Sequence, residues 1–375
     1  VPASFAVGPL SASDWQGEWI GADWMKDNAG PLPLLRKVVE LDRVPFSALA
    51  YVCALGYYEL HLNGRKVGGD VLSPAVSDYG KRGLYLTHDL AGHLVRGRNC
   101  IGLWLGRGWS VGVLKNAGTA GPMVKAEFDI TFDSAGPLTV VTDATWKAHP
   151  SHITPLGKGI SNSYGGERVE ADNEIADWSS AACDDSGWRA AAVHYPPTPI
   201  IAAQMMEPNR ILDEIRAAAV WPADGAYVID MGRNYTGWFE LAMPDGLPRG
   251  AEVVMEFADK QLRDGRFQTY GQRSEYVARG GGGERFRNRF NYAAFRYAIV
   301  KGLPRAPRPD EVKGRLITTG YESGSTFSCD NQLLNEIHGM ICWTYKCLSL
   351  GGYTVDCPHR ERLGYGGDSG TSMEM

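Results

Sequence analysis

A chain of 375 residues, 44% hydrophobic and 22% charged, is long enough for two or three domains with buried cores. Its net charge of −5 comes without a Lys/Arg block, and no stretch approaches the ~20 apolar residues of a membrane helix. Nucleic acid, an anionic membrane surface and a membrane span are thereby set aside, and the expected partner is small and uncharged.

The first 33 residues carry Trp15, Trp19 and Trp24 in a Gly/Asp-rich setting, which suits a packed irregular lead-in. From residue 34 the pattern is strand-like. Tyr58-Glu59-Leu60-His61-Leu62 alternates, and Asn63-Gly64 supplies the positive φ that a tight type I′ hairpin demands. Strands are predicted at 99–105, 124–132 and 138–141, with Asp143-Ala144-Thr145-Trp146 and Asp185-Ser186-Gly187-Trp188 as turns that anchor a tryptophan. One antiparallel β-sandwich over 34–200 accounts for these. Tyr195-Pro196-Pro197-Thr198-Pro199 is stiff and poor in backbone donors, so it marks a linker. Strands resume at 227–231, 238–243, 252–258, 285–292 and 297–301, giving a second sandwich over 201–325. The glycine run after Arg279 lacks the Lys-Ser/Thr of a phosphate loop and reads as a turn.

After Asp330 the apolar period changes from two to about 3.6, with Leu334, Ile337, Ile341, Tyr345 and Leu348 on one stripe. Asp330 is placed to cap this helix, Gly351-Gly352 to end it, and 369–375 to open another. One helix and an incipient second cannot bury each other's apolar faces, so further chain is expected downstream of 326–375. The pattern as a whole is mainly β, with helices only at the end.

Seven cysteines cannot all pair, and none forms C-x-x-C. Cys53, Cys100, Cys342 and Cys347 lie among apolar residues and read as small buried hydrophobes, which suits a reducing compartment. The opening Val1-Pro2-Ala3-Ser4-Phe5 shows no basic segment followed by an apolar run, so a cytoplasmic location is favoured over a secreted one. The eight histidines show no metal spacing, and Asp184-Asp185 reads as a turn, so neither a metal nor a cofactor is expected.

One window is far more loaded with chemistry than any other. Asp356-Cys357-Pro358-His359-Arg360-Glu361-Arg362-Leu363-Gly364-Tyr365-Gly366-Gly367-Asp368 puts three carboxylates, two arginines and a histidine among three glycines and a proline. A carboxylic acid protonates a leaving oxygen only if its pKa is raised, which neighbouring carboxylates or burial under aromatic rings achieve. Solvated charges in a surface loop are the bland alternative, and spacing alone names no reaction.

This window resembles the acidic signature of the bacterial α-L-rhamnosidases of glycoside hydrolase family 78, Asp-Cys-Pro-Gln-Arg-Asp-Glu-Arg-Leu-Gly-Trp-Thr-Gly-Asp. The resemblance implies Glu361 as general acid, with Asp356, Arg360 and Asp368 binding rhamnose hydroxyls and Tyr365 as a wall of the subsite. Here one acidic residue between Arg360 and Glu361 is absent, Tyr365 stands for tryptophan and His359 for glutamine. A one-residue shortening displaces a chain by up to ~3.5 Å. Trp19-Ile20-Gly21-Ala22, the 58–64 hairpin and the 185–188 turn are similar to the family's amino-terminal sandwich. Residues 230–238 and 290–297 are similar to its second sandwich. The resemblance makes the helix after Asp330 the first of an (α/α)6 barrel. It further implies hydrolysis of terminal α-L-rhamnose from a glycoside or oligosaccharide, with inversion, the general base lying further downstream.

A non-catalytic carbohydrate-binding β-sandwich protein is the runner-up, since such proteins stack sugars on exposed aromatic faces. It requires Trp104, Trp109 and Trp238 to be exposed, whereas they sit among alternating apolar residues. A purely structural module is a third reading, which the acidic loop argues against.

Overall fold

The computed structural model describes residues 7–25, 29–110, 121–133 and 136–372. Strands dominate, and the two α-helices among the described residues come last. Neither is long and apolar enough to cross a membrane. The chain divides into two compact units, one made of residues 1–68, 76–152 and 174–205, the other of 69–75, 153–173 and 206–375.

In the first unit, one sheet runs in the order Ala192–Val193, Ile20–Gly21, Met123–Thr131, Ser47–Leu55, Gly83–Asp89 and Ile201–Ala203, with Leu138–Val141 also on Met123–Thr131. The other runs Arg189–Ala190, Lys147–Pro150, Pro33–Leu41, Gly97–Gly106, Tyr57–Leu62 and Arg65–Lys66. Both contribute to one core, in which Val52, Ala54, Val124, Ala126 and Phe128 join Leu35, Leu60, Ile101, Leu103 and Leu105. Each such large aliphatic contributes about 1.5–3 kcal/mol on full burial. The fully buried Trp146 stacks on Phe128 and donates its indole N–H to the Val141 carbonyl at 2.8 Å.

The hairpin forms where the alternation predicts, with Asn63 at φ 52° and Gly64 at φ 82°. Asn63 also accepts from the Cys100 amide at 2.9 Å and donates to the His93 carbonyl at 3.0 Å, so its side chain ties the turn to the neighbouring loop. The Asp185 turn is held by ion pairs to the buried Arg36 and to Lys147. All seven cysteines are free thiols; Cys53, Cys100 and Cys347 are buried, while Cys342 is half-buried.

In the second unit, where two facing sheets are expected, ten strands belong to one hydrogen-bonded sheet. Its order is Ile153–Pro155, Glu167–Glu170, Arg273–Val277, Glu252–Ala258, Ala293–Lys301, Ala226–Ala242, Val312–Thr319 and Asn209–Arg216. Ala219–Ala223 and Arg285–Arg287 also pair with Ala226–Ala242. That strand is long enough to take four partners because the two strands predicted at 227–231 and 238–243 are one. Gly232-Arg233-Asn234 forms a bulge instead of a break, with the pairing on Ala293–Lys301 shifting between Asp230 and Tyr235. Asp230 fixes the bulge by accepting from the Gly232 amide at 2.7 Å and both arms of Arg296 at 2.8 Å. Further along, Gly237 lies so close to the next strand that a Cβ would sit 1.9 Å from the Arg315 carbonyl oxygen.

Two segments lie elsewhere than their predicted places. Residues 153–173 fall within the predicted amino-terminal sandwich, yet Glu167–Glu170 pairs in parallel with Arg273–Val277 in the second unit. Conversely, Ile201–Ala203 pairs with Gly83–Asp89 of the first. The strand predicted over 285–292 stops at Arg287, because the next backbone turns onto a buried acid. Glu167 accepts from the Arg289 and Phe290 amides at 2.7 and 2.6 Å. Burial pushes the Glu167 carboxyl up in spite of these bonds.

Helix α1 covers Gln332–Leu348, and its cap is Asn331 instead of Asp330. The Asn331 side-chain Oδ1 accepts from the Leu333 and Leu334 amides at 3.0 and 3.3 Å, a reach open only to the residue directly before the first turn. The helix docks through Trp343, whose indole N–H donates 2.8 Å to the Asn234 carbonyl on the bulge, while the Arg233 guanidinium stacks 3.4 Å from the ring centroid. Leu334, Ile337 and Ile341 of the predicted apolar stripe are exposed, as are Leu333 and Met340. Gly351 and Gly352, at φ 66° and 82°, form the turn of a short hairpin between Ser349–Leu350 and Tyr353–Thr354. Helix α2 covers Gly366–Ser372, and the last three residues of the predicted second helix lie outside the described residues.

Candidate active site

The acidic loop leaves the Tyr353–Thr354 strand through the fully buried Val355, whose amide donates to the Leu348 carbonyl at 2.8 Å. The amides of Arg360, Glu361 and Arg362 all donate to the Cys357 carbonyl at 3.1 to 3.2 Å, which curls the chain into a tight turn behind Pro358. Asp356 closes the loop at its base. Its amide donates to the Leu363 carbonyl at 2.8 Å, and its Oδ1 accepts from the Leu363 amide at 3.1 Å.

Arg362 pins this loop down. It adopts φ 58°, a conformation costing a side-chain-bearing residue about 1–2 kcal/mol, and it is buried. Its guanidinium donates to the Pro358 carbonyl at 3.0 Å, to Asn291 Oδ1 at 2.9 Å and to the Tyr292 carbonyl at 2.5 Å. The cation also lies 3.9 Å from the Tyr292 ring centroid and 4.3 Å from that of Tyr164. A second support comes from residues 161–164. The Tyr164 hydroxyl donates to the Glu361 carbonyl at 2.6 Å, and the Asn162 amide to the Arg360 carbonyl at 3.1 Å. Sequence reasoning missed Tyr164 and Asn291, and it gave Arg362 no role. Its charge among so many turn residues was the only available signal.

The structure brings four of the five predicted site residues into one cluster. Carboxylate oxygens of Asp356 and Glu361 lie within 4.8 Å of each other and of the Cys357 thiol. Glu361 Oε2 accepts from the Tyr365 hydroxyl at 3.1 Å, and Oε1 pairs with Arg360 at 2.8 Å. The fifth, Asp368, stands in the first turn of α2. Burial alone would push the Asp356 carboxyl up, but hydrogen bonds from Cys357 and the Glu361 side chain, with the Leu363 amide, hold it below its ordinary value. The Tyr365 phenol is pushed up by its bond to Glu361. The His359 imidazole, against the Tyr270 ring, is pushed down by burial.

Asp356, Cys357 and Glu361 are the one group among the described residues close enough to share a cation. The donor set does not suit one, because burial and the neighbouring Asp356 push the thiol up, and its proton bonds Asp356 at 2.9 Å. What the cluster can do is proton transfer, with an ionised Asp356 beside a second carboxyl group that a phenol orients.

Trp104, Trp109 and Trp238 are all buried, so the exposed aromatic face that a sugar-binding module would need is not built from them.

Comparison with known proteins places this loop in context. Residues 44–213 match the alpha-L-rhamnosidase N-terminal domain, 222–318 the bacterial alpha-L-rhamnosidase concanavalin-like domain, and 322–375 the bacterial alpha-L-rhamnosidase 6 hairpin glycosidase domain. The chain belongs to the bacterial α-L-rhamnosidase family. The acidic loop falls in the last of these three matches, while Tyr164 and Asn291, which support it, fall in the first two.

Among curated relatives, an alpha-L-rhamnosidase of Formosa agariphila is 31% identical over 354 residues, covering 89% of this chain and 36% of that protein. One of Streptomyces avermitilis is 31% identical over 383 residues, covering 95% and 36%. Among solved structures, the alpha-L-rhamnosidase of Dictyoglumus thermophilum superposes with a TM-score of 0.86 at 29% identity, over 96% of this chain and 42% of that one. The Streptomyces avermitilis enzyme complexed with L-rhamnose gives 0.83 at 30% identity, over 90% and 33%. The chain thus spans 36% to 41% of the length of the curated rhamnosidases it matches.

Proposed function

We propose that this chain supplies the acid side of an exo-acting α-L-rhamnosidase that removes terminal α-L-rhamnose from glycosides or oligosaccharides by inversion. Glu361 protonates the departing oxygen, Asp356, Arg360 and Asp368 bind the sugar hydroxyls, and Tyr365 forms a wall of the subsite while orienting the acid. The observation that carries this reading is the pair of neighbouring carboxyl groups in which Asp356 is held as the anion and Glu361 takes the phenol's hydrogen bond. The Arg360 contact to Glu361 is exposed on the arginine side, so an incoming hydroxyl can displace it.

Inversion needs a second carboxylate roughly 6.5–9.5 Å from the acid, with room for the attacking water. Asp356 approaches Glu361 within 4.8 Å and therefore does not suit that role, so the base comes from outside this cluster. In the architecture we infer, the ten-stranded sheet is the family's second sandwich and α1 opens an (α/α)6 barrel. The exposed Leu334, Ile337 and Ile341 pack there on further helices.

The test is hydrolysis of 4-nitrophenyl α-L-rhamnoside by the 375-residue chain itself. No turnover above the uncatalysed rate is expected. Measurable turnover would show that the chain holds its own base and overturn this division of labour.

A further inference from the structure

A cleft of about 290 Å³ is lined by Asn234, Thr236, Asp259, Trp343, Asp356 and His359 among others. Glu361, Arg360, Tyr365 and Asp368 are not on its wall. Its size is at the small end of the ~300–1,000 Å³ typical of ligand pockets, which fits one sugar ring better than a larger molecule. Asp259 Oδ1 is buried there without a hydrogen-bond partner. A buried acceptor left unmatched is costly, and a ligand that donates to it removes that cost. A polyhydroxylated ring carries the donors that this oxygen lacks.

The rest of the cleft suits the same ligand. Trp343 offers an aromatic surface for the apolar face of a pyranose, and it is held rigidly by its bond to Asn234 and by the Arg233 guanidinium. Both carboxyl groups on the wall, Asp259 and Asp356, accept hydroxyl protons and repel anions. Burial pushes the His359 imidazole down.

We infer that this cleft is a second saccharide subsite, taking a neutral pyranose and rejecting uronic acids, with Asp259 as its specificity-determining acceptor and Trp343 as its platform. It extends the glycoside reading above, on which the choice of sugar as ligand class rests. Its residues come from the sheet and from α1 as well as from the start of the acidic loop.

The experiment follows the Trp343 indole N–H resonance of the full chain during titration with methyl α-L-rhamnoside, methyl β-D-glucoside and D-glucuronate. The neutral glycosides are expected to shift that resonance and glucuronate to leave it in place. Asp259→Ala should weaken the neutral sugars at least tenfold while leaving Tm unchanged or higher, because it removes an unsatisfied group. A Trp343 resonance that no glycoside moves, an unchanged affinity in Asp259→Ala, equal binding of glucuronate, or a clear fall in Tm on replacing Asp259 would each overturn the inference. These outcomes are separable from the fate of the acid. Sugar binding at Trp343 with Glu361 dispensable for hydrolysis would sink the catalytic reading alone, whereas an essential Glu361 with a silent cleft would sink only this one.

Discussion

Arg362 shows what holds the acidic loop in place. It spends its fork on three oxygens and its faces on two tyrosine rings, and in return a residue with φ 58° is stable in a tight loop. Arg362→Ala leaves three acceptors without their donor, so a loss on the order of 3 kcal/mol is expected from urea denaturation. Arg362→Lys should recover only part, since an ammonium cannot span the Asn291 and Tyr292 oxygens as a planar fork does. Equal stability of all three proteins would show that the loop holds itself. At this scale the acidic residues were legible in the sequence because they are contiguous and chemically unusual together. Tyr164 and Asn291 were not. Each is an ordinary residue locally, and acquires its role only from a partner 197 or 71 positions away.

Among the elements, the strand Ala226–Ala242 and helix α1 were only partly legible. Gly232-Arg233-Asn234 has the composition of a turn, and no local pattern records that Arg296 will clamp Asp230 and carry the ladder through. For α1 the periodicity gave the helix but not which face would dock. Trp343 and Cys347 meet the bulge, while Leu334, Ile337 and Ile341 remain exposed. The cap differs from expectation by one position, which makes it testable. Asn331→Ala should cost about 1 kcal/mol and speed hydrogen exchange at the Leu333 and Leu334 amides, whereas Asp330→Ala should change neither. The reverse ranking would restore Asp330 as the cap.

Across the whole molecule, alternating apolar residues and turn chemistry were enough to read a mainly β chain. The interleaving of the two units was not readable, since Glu167–Glu170 pairs with a strand whose Glu275 lies 107 positions from Arg168. Long-range pairing of this kind leaves no local signature.

The charge pattern sets the pH response. The Arg305 and Arg308 guanidiniums hold the Glu311 carboxyl at about 2, against 4.5 ordinarily, and arginines likewise depress Asp230, Glu240 and Glu275. A carboxyl depressed in the fold adds stability that is complete above its ordinary pKa and is lost as pH falls through its folded value. Glu167 runs the other way, its contribution being greatest below its ordinary pKa. Four depressed groups outweigh one raised group. Stability followed by circular dichroism should therefore decline between about pH 4.5 and 2, and Glu311→Gln should flatten that decline. A curve that Glu311→Gln leaves unchanged would remove this ion pair from the account.

The central claim, that Glu361 is the acid, is tested most directly by the rate of α-L-rhamnoside hydrolysis in a protein that carries this chain together with a complete helical domain. Glu361→Gln should fold with unchanged Tm and lose ~10²–10⁴-fold in kcat, with the smallest loss on substrates whose leaving group needs no proton. A correctly folded Glu361→Gln protein that retains its rate within a few-fold would contradict the assignment and move the acid elsewhere.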